Sequence, residues 1–138
     1  MSFSHVGDDR PPIRATWPVH RGVGSAATAA VYFELEPGQQ LGEHTDSAEE
    51  LLVVLEGEVE AVVGDERGPV AAGGVAVVPS LVPHDVISVG DRPAKVLGVF
   101  GSNTIVSEFR EGFAPTGMRV VGTPPPADEP AAAAAAAG

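Results

Sequence analysis

Short apolar and β-branched runs, separated by glycine, proline and acidic residues, make up most of the chain. Almost nowhere do apolar positions recur with the three-to-four-residue spacing of an amphipathic helix. The runs are about five residues long and recur about every ten residues, which is typical of an all-β sandwich or barrel. The predicted strands are Ile13–Val19, Ala26–Leu35, Glu50–Leu55, Glu58–Val63, Val75–Val78, Asp85–Val89, Ala94–Phe100 and Thr104–Phe109.

Turn residues between these runs indicate how the strands are joined. Glu56-Gly57 lies between two apolar runs and predicts a hairpin, and residues 64–68 and 90–93 predict further turns. We expect one folded domain at 13–122. A flexible segment at 1–12 would precede it, and a disordered tail rich in proline and alanine, 123–138, would follow it.

The amino-acid composition excludes or disfavours several classes of function. The 138 residues correspond to one domain, and the formal net charge of −11 disfavours nucleic acids and anionic membranes as partners. Without cysteine, neither disulfide bonds nor thiolate metal ligands are available. The N-terminus lacks the apolar stretch of a signal peptide, and no apolar run approaches the roughly 20 residues that cross a bilayer. We therefore expect a cytoplasmic protein.

Two histidines and two carboxylates are spaced so that they can meet at one point. The first block reads G-x5-H-x-D-x3-E-x6-G and carries His44, Asp46 and Glu50. Because strand side chains alternate between faces, these three positions can point into a barrel while Glu49 points out. A second block reads G-x5-P-x4-H and ends at His84. Imidazole and carboxylate groups bind divalent metals, so the two blocks predict a metal site.

The two blocks resemble the two sequence motifs of the cupin superfamily, G-x5-H-x-H-x3,4-E-x6-G and G-x5-P-x-G-x2-H-x3-N. The matching residues are Gly38, His44, Glu50 and Gly57 in the first motif and Gly73, Pro79 and His84 in the second. Three positions depart from the pattern. Asp46 stands where the family has a second histidine, Leu81 replaces a glycine, and Ser88 replaces an asparagine.

The resemblance implies a small single-domain cupin whose two antiparallel sheets form a double-stranded β-helix, that is, a jelly-roll barrel. It implies that one divalent transition metal per chain, Fe, Mn, Ni or Zn, is held by His44, Glu50 and His84. Asp46 is either a further ligand or a neighbour of the ion, since its side chain is shorter than histidine. Glu50 can also act catalytically, as a base toward a substrate hydroxyl.

The resemblance to quercetin-dioxygenase-like cupins implies a metal-dependent dioxygenase, an oxidoreductase acting on a small oxygen-bearing organic substrate in an apolar pocket. The alternative is a non-catalytic cupin that binds or senses a small molecule and has a structural or vestigial metal site. We also expect a homodimer, because the segment Ile13–Val19 can extend a sheet of this chain or of its partner. Tyr32, Phe33 and Phe100 are expected in the core, and His5 and His20 in loops or in solvent.

Overall fold

The computed structural model describes residues 2–3, 13–113 and 116–124. These residues form twelve β-strands and one 3-10 turn at Arg21–Val23. The strands are β1 (Ser2–Phe3), β2 (Ile13–Val19), β3 (Ala29–Leu35), β4 (His44–Asp46), β5 (Glu50–Glu56), β6 (Glu58–Val63), β7 (Glu66–Ala71), β8 (Val75–Val78), β9 (His84–Ser88), β10 (Ala94–Phe100), β11 (Val106–Phe113) and β12 (Met118–Gly122).

The strands are arranged in two six-stranded sheets in which neighbours run antiparallel. The first sheet has the order β1-β2-β3-β10-β5-β8, and the second has the order β12-β11-β4-β9-β6-β7. Consecutive strands such as β3 and β4, or β9 and β10, lie in different sheets, so the chain repeatedly crosses the molecule. This topology confirms the predicted all-β jelly-roll barrel.

The core lies between the two sheets and consists of the inward side chains of both. Burial alternates along β10, for example, where every second side chain is buried. The buried cluster is formed by five strands of the first sheet and two of the second: Ile13, Phe33, Leu35, Leu52, Val54, Val59, Val78, Val86, Ala94 and Val96. Phe33 and Phe100 are core residues as predicted, whereas Tyr32 is only half-buried and lies on the outer face of β3.

Each predicted run forms a strand, and β2, β6, β8 and β10 have the predicted bounds. Strands β1, β4, β7 and β12 are not among the predicted strands. The sequence of β7 contains Gly68 and Pro69, which usually interrupt strands, but β7 is an edge strand and there a proline costs no ladder hydrogen bond.

The sequence analysis also made predictions for the two ends of the chain. The predicted flexible segment 1–12 and tail 123–138 lie almost wholly outside the described residues. Strand β2 pairs with β3 of the same chain, which places the predicted N-terminal strand in this chain's own first sheet. Within the described residues, no helix has the length and apolar character to cross a membrane.

The predicted hairpin at Glu56-Gly57 is wrong. Strand β5 pairs with β10 and β8, and β6 pairs with β7 and β9, so the two strands belong to opposite sheets. Gly57 is the point of crossing, with a φ of +78°. A Cβ there would lie 2.7 Å from the Pro93 carbonyl oxygen and 2.9 Å from Ala94 Cα. Only glycine therefore allows the β5–β6 connection to pass so close to the chain that leads into β10.

We predict that Gly57→Ala destabilises the fold by more than Gly73→Ala. Both glycines have a positive φ, but a Cβ at Gly73 would meet no atom within 4 Å. The left-handed conformation alone should cost about 1 kcal/mol in either variant, and the backbone clash at Gly57 should add about 2 kcal/mol. The free energy of unfolding in urea measures the difference. Equal losses in the two variants would show that the crossing does not need the close approach.

Candidate metal centre

His44 and His84 lie directly opposite each other on neighbouring strands of the second sheet, and both side chains point into the barrel. They are 6% and 1% exposed. The Nδ1 atom of His44 lies 2.7 Å from the Gly42 carbonyl oxygen, and that of His84 lies 2.9 Å from the Val82 carbonyl oxygen. A carbonyl oxygen only accepts, so each Nδ1 donates. Both Nε2 atoms are thereby turned toward the interior, the arrangement that orients metal-binding histidines.

Asp46 adds a carboxylate to the two imidazoles. Its Oδ1 accepts a hydrogen bond of 2.5 Å from Ser107 Oγ on β11. Its Oδ2 lies 3.0 Å from His84 Nε2 and 3.7 Å from His44 Nε2. Ligand atoms of these three residues all lie within 4.8 Å of one another. Ser107 therefore holds the carboxylate so that its free oxygen faces both rings.

Glu50 reaches the same place from the opposite sheet. It is 3% exposed, and its Oε1 lies 3.3 Å from His84 Nε2. It stands outside the compact group of His44, Asp46 and His84. Its carboxylate fits only because residue 98 on β10 is glycine, since a Cβ at Gly98 would overlap Glu50 Oε2.

Burial and mutual charge set the protonation of the four groups. Burial lowers the pKa of His44 to about 4 and raises that of Glu50 to about 7. Burial also disfavours the charged forms of His84 and Asp46, but their proximity to opposite charge outweighs it. The carboxylates of Asp46 and Glu50 raise the pKa of His84 to about 10, and the two histidines hold the pKa of Asp46 below its usual range.

The polar atoms at this point fit a divalent metal. Asp46 Oδ2, Glu50 Oε1 and His84 Nε2 are buried and make no hydrogen bond of acceptable geometry. Buried polar groups are nearly always paired, because an unpaired one costs about 1–3 kcal/mol. Two imidazole nitrogens with carboxylate oxygens form a ligand set for Fe, Mn, Ni or Zn. A cation bound among them would satisfy all three atoms at once.

An apolar cavity of about 70 Å³ adjoins the cluster between the two sheets. Aromatic rings form much of its wall: Trp17, Phe33, Phe100, Phe109 and Phe113. No lysine or arginine is among the residues that line it. The polar surface of the cavity is therefore supplied by the four site residues and Ser107.

The structure brings together all four residues that the sequence singled out, His44, Asp46, Glu50 and His84. The prediction that these side chains share one face assumed that residues 44–50 form a single strand, and this assumption is wrong. His44 and Asp46 lie on β4, whereas Glu50 begins β5 in the other sheet. His44, Asp46 and Glu50 all face inward and Glu49 is exposed, as predicted.

His5 and His20 lie apart from this group in the sequence. His20 lies in a loop as expected, but it is buried and its Nδ1 accepts a hydrogen bond from Gly22 N–H. His5 lies outside the described residues.

Four supporting residues were missed by the sequence analysis. Ser107 and Gly98 orient the two carboxylates, and the ring of Phe109 stacks on His44 with centroids 4.5 Å apart. Asp85 accepts from the N–H groups of Gly42 and Val86, which fixes the loop whose carbonyl orients His44. Only long-range pairing brings these residues to the site, so no local sequence signal could identify them.

Comparison with known proteins identifies the family. The cupin domain family matches residues 31–100, about half of the chain, and the chain belongs to this family. The match contains both motifs and all four site residues. No curated protein sequence matches the chain.

Solved structures with the same fold include the cupin 2 domain-containing protein of Halorhodospira halophila. It is 24% identical with a TM-score of 0.59, over 65% of this chain and 64% of that one. Oxalate oxidase in complex with the substrate analogue glycolate is 20% identical with a TM-score of 0.66, over 72% and 55%. Bacillus subtilis oxalate decarboxylase, which has Mn(II) centres, is 18% identical with a TM-score of 0.65, over 78% and 30%. At these identities the likeness establishes the fold alone.

We predict that Gly98→Ala weakens metal binding. The added Cβ would take the space of the Glu50 carboxylate and push it away from His84. Loss of one group beside the ion should lower the affinity by about tenfold. Gly68→Ala is the matched control, because Gly68 is also in a strand and a Cβ there would meet no atom within 4 Å. Titration calorimetry with Zn²⁺ measures both variants, and equal affinities would show that Glu50 contributes nothing to binding.

We also predict that metal binding releases protons. The raised pKa of His84, about 10, means that this group holds a proton near neutral pH when no metal is bound, whereas Glu50, with a pKa of about 7, is about half protonated there. A cation must displace the proton from His84 Nε2, so the affinity should rise with pH between about 6 and 8. Calorimetry with Zn²⁺ in two buffers of different ionisation enthalpy should show release of roughly one proton. Identical heats in both buffers would contradict the prediction.

Proposed function

We propose that this cupin binds one divalent transition metal per chain through His44, Asp46 and His84, with Glu50 beside the ion. The observation that carries the proposal is the convergence of buried polar atoms that lack hydrogen bonds: Asp46 Oδ2, Glu50 Oε1 and His84 Nε2. The three ligand side chains lie within 4.8 Å of one another, which suits a facial set of two histidines and one carboxylate.

We propose further that the site is catalytic and that the reaction is a metal-dependent oxidation of the dioxygenase type. The bound metal would supply a Lewis acid, or a redox centre, with open positions toward the cavity. The residues of the chain would bind the substrate and hold the metal ligands. Apolar and aromatic walls would exclude water and position the carbon skeleton of the substrate, while Ser107 and the carbonyls of Gly42 and Val82 would hold the ligands in place.

Glu50 is proposed to move the proton. Its pKa of about 7 lets the carboxylate accept a proton from a substrate hydroxyl and return it near neutral pH. It begins β5 in the sheet opposite His44 and Asp46, and it lines the same cavity as they do. Glu50 is therefore placed to act on a substrate atom as well as beside the ion.

The cavity supports a small, uncharged organic substrate with at least one oxygen atom. Its lining has no lysine or arginine, and it has five aromatic side chains. An enolisable compound of a few carbon atoms would bury its carbon skeleton against the rings and turn its oxygen toward the histidines. The cavity of about 70 Å³ is smaller than the roughly 150 Å³ that holds a benzene ring. Residence in the cytoplasm and assembly as a homodimer complete the proposal, and neither depends on the chemistry of the metal.

The test is metal content and turnover of protein purified without added metal or nickel resin. We expect about one equivalent of metal in the wild type, and its loss in His84→Ala together with at least about a hundredfold loss of O₂ consumption on enolisable substrates. His20→Ala is the control, since it removes a buried histidine away from the cluster.

The outcomes separate the candidate functions. Metal in the wild type with no turnover on any substrate would favour a barrel that binds or senses a small molecule. Undiminished turnover in metal-free His84→Ala would contradict the catalytic proposal, and the absence of metal from the wild type would contradict the metal site.

A further inference from the structure

The cavity beside the metal centre extends toward one side of the barrel. Besides the metal-binding residues, its lining includes side chains of β11 and β12 in the second sheet and of β10, β3 and β2 in the first. His44 lies on β4, two strands in from β12, and Glu50 lies on β5, three strands away from β2. The cavity therefore runs from the metal centre toward the side of the barrel where β2 and β12 lie.

Half-buried side chains mark where this cavity approaches solvent. They are Ala15, Trp17, Val31 and Leu41, whereas every other residue of the lining is buried. Ala15 and Trp17 lie on β2, and Val31 lies on the neighbouring strand β3. Leu41 faces them from the loop after β3, where it packs against the buried cluster of β11 and β12. Trp17 is the one aromatic side chain among these four, so it is the largest group at the mouth of the cavity.

The backbone of β2 is irregular at Trp17. Thr16 pairs with Tyr32, and Val19 pairs with Ala30, so β2 has one more residue than β3 between these two pairs. The extra residue is a β-bulge that contains Trp17 and Pro18. A bulge bends its strand and changes the direction of a side chain, and bulges are common beside active sites. The direction of the Trp17 side chain is therefore set by the backbone as well as by packing.

Packing holds the Trp17 indole on a buried support. Its ring lies 5.9 Å from that of Phe100, centroid to centroid, with 38° between the two planes. Phe100 is only 2% exposed and forms a buried cluster with Ala29 and Ile105, against which Trp17 packs. Tilted aromatic pairs at this distance attract one another in addition to the area that they bury. The indole therefore has a fixed wall on one side and the cavity on the other.

The aromatic residues of the second sheet have a different position. The ring of Phe109 stacks on His44, with centroids 4.5 Å apart, and Phe113 lies 5.0 Å from Phe109. A change at either phenylalanine would therefore alter the support of a metal-binding histidine. Trp17 packs against Phe100 instead, so its size can change without removal of a ring that contacts a metal ligand.

We propose that Trp17 determines the substrate specificity of this site, because its indole closes the mouth of the cavity and limits the substrate to a few carbon atoms. The inference rests on the proposed function, since it concerns the substrate of that same site. The cavity measures about 70 Å³, and a cavity that holds benzene measures roughly 150 Å³. A smaller side chain at position 17 would extend the cavity toward solvent. The site would then accept a substrate that carries a bulkier group at the end remote from its oxygen.

The first test is the binding of benzene to the full-length protein, measured by titration calorimetry, which requires neither turnover nor a bound metal. We expect Trp17→Ala to bind benzene at least about tenfold more tightly than the wild type. Trp17→Leu should lie between the two, and it keeps an apolar side chain on Phe100 if the alanine variant does not fold. Tyr32→Ala is the matched control, because it removes a half-buried aromatic side chain from the outer face of β3, next to β2. Circular dichroism establishes that each variant is folded.

The second test is the ratio of kcat/KM for two enolisable substrates in O₂ consumption. Pentane-2,4-dione and 1-phenylbutane-1,3-dione have the same reacting group and differ by a phenyl ring in place of one methyl group. We expect the ratio of the phenyl compound to the smaller one to rise at least about tenfold in Trp17→Ala. The metal content should stay at the wild-type level, and Tyr32→Ala should have the wild-type ratio.

The outcomes separate this proposal from the proposed function. Benzene binding by the wild type as tight as by a folded Trp17→Ala or Trp17→Leu would overturn the role of Trp17. So would a substrate ratio that is the same in these variants as in the wild type, or one that rises equally in Tyr32→Ala. Tighter benzene binding in Trp17→Ala without turnover of either diketone in any form of the protein would contradict the proposed oxidation of such substrates. Trp17 would then still be the residue that limits the size of the bound molecule.

Discussion

Desolvation of four ionisable groups between two apolar sheets is the constraint on which the rest of this structure depends. His44, Asp46, Glu50 and His84 are each less than a tenth exposed, and three of their polar atoms lack hydrogen bonds. Burial of a charged group without a partner carries a large free-energy cost of desolvation. Here the groups compensate one another in part, as the raised pKa of His84 and the lowered pKa of Asp46 show. A bound divalent cation would complete that compensation, because it could pair with each of these three atoms.

Much of the surrounding structure supports this cluster. Backbone carbonyls fix both histidine rings, Ser107 fixes Asp46, and the missing side chain at Gly98 leaves room for Glu50. Such contacts around a site determine how well its ligands are preorganised. Asp46 stands where the cupin motif has a histidine, and the serine across the strand pair from it holds its free oxygen toward the rings. The structure therefore supports an aspartate at position 46 with a hydroxyl partner, which a histidine at this position would not need.

The two sheets share the core but differ in their outer faces. The second sheet exposes acids and arginines on β6 and β11, together with the apolar side chains of Val106, Met118 and Val120. The first sheet has apolar side chains on both faces, and Leu51, Leu55, Val75 and Val77 are exposed. The same preference that drives residues such as Leu52 and Val54 into the core acts on Leu51 and Val53 outside it.

The sequence by itself determined the short strands, the ligand types and the approximate meeting of the two motifs, because these follow from local periodicity and spacing. Local sequence patterns did not predict which strands pair with one another in the sheets. The Glu56-Gly57 turn is typical of a hairpin, yet it carries the chain from one sheet to the other, and β5 pairs with β10 and β8 instead of β6.

Only the tertiary structure decided that Glu50 approaches His84 from the opposite sheet and that Ser107, Gly98 and Asp85 belong to the site. These placements depend on register between strands that lie far apart in the chain. Register is set by which side chains can be buried together, so it has no signature in any single strand.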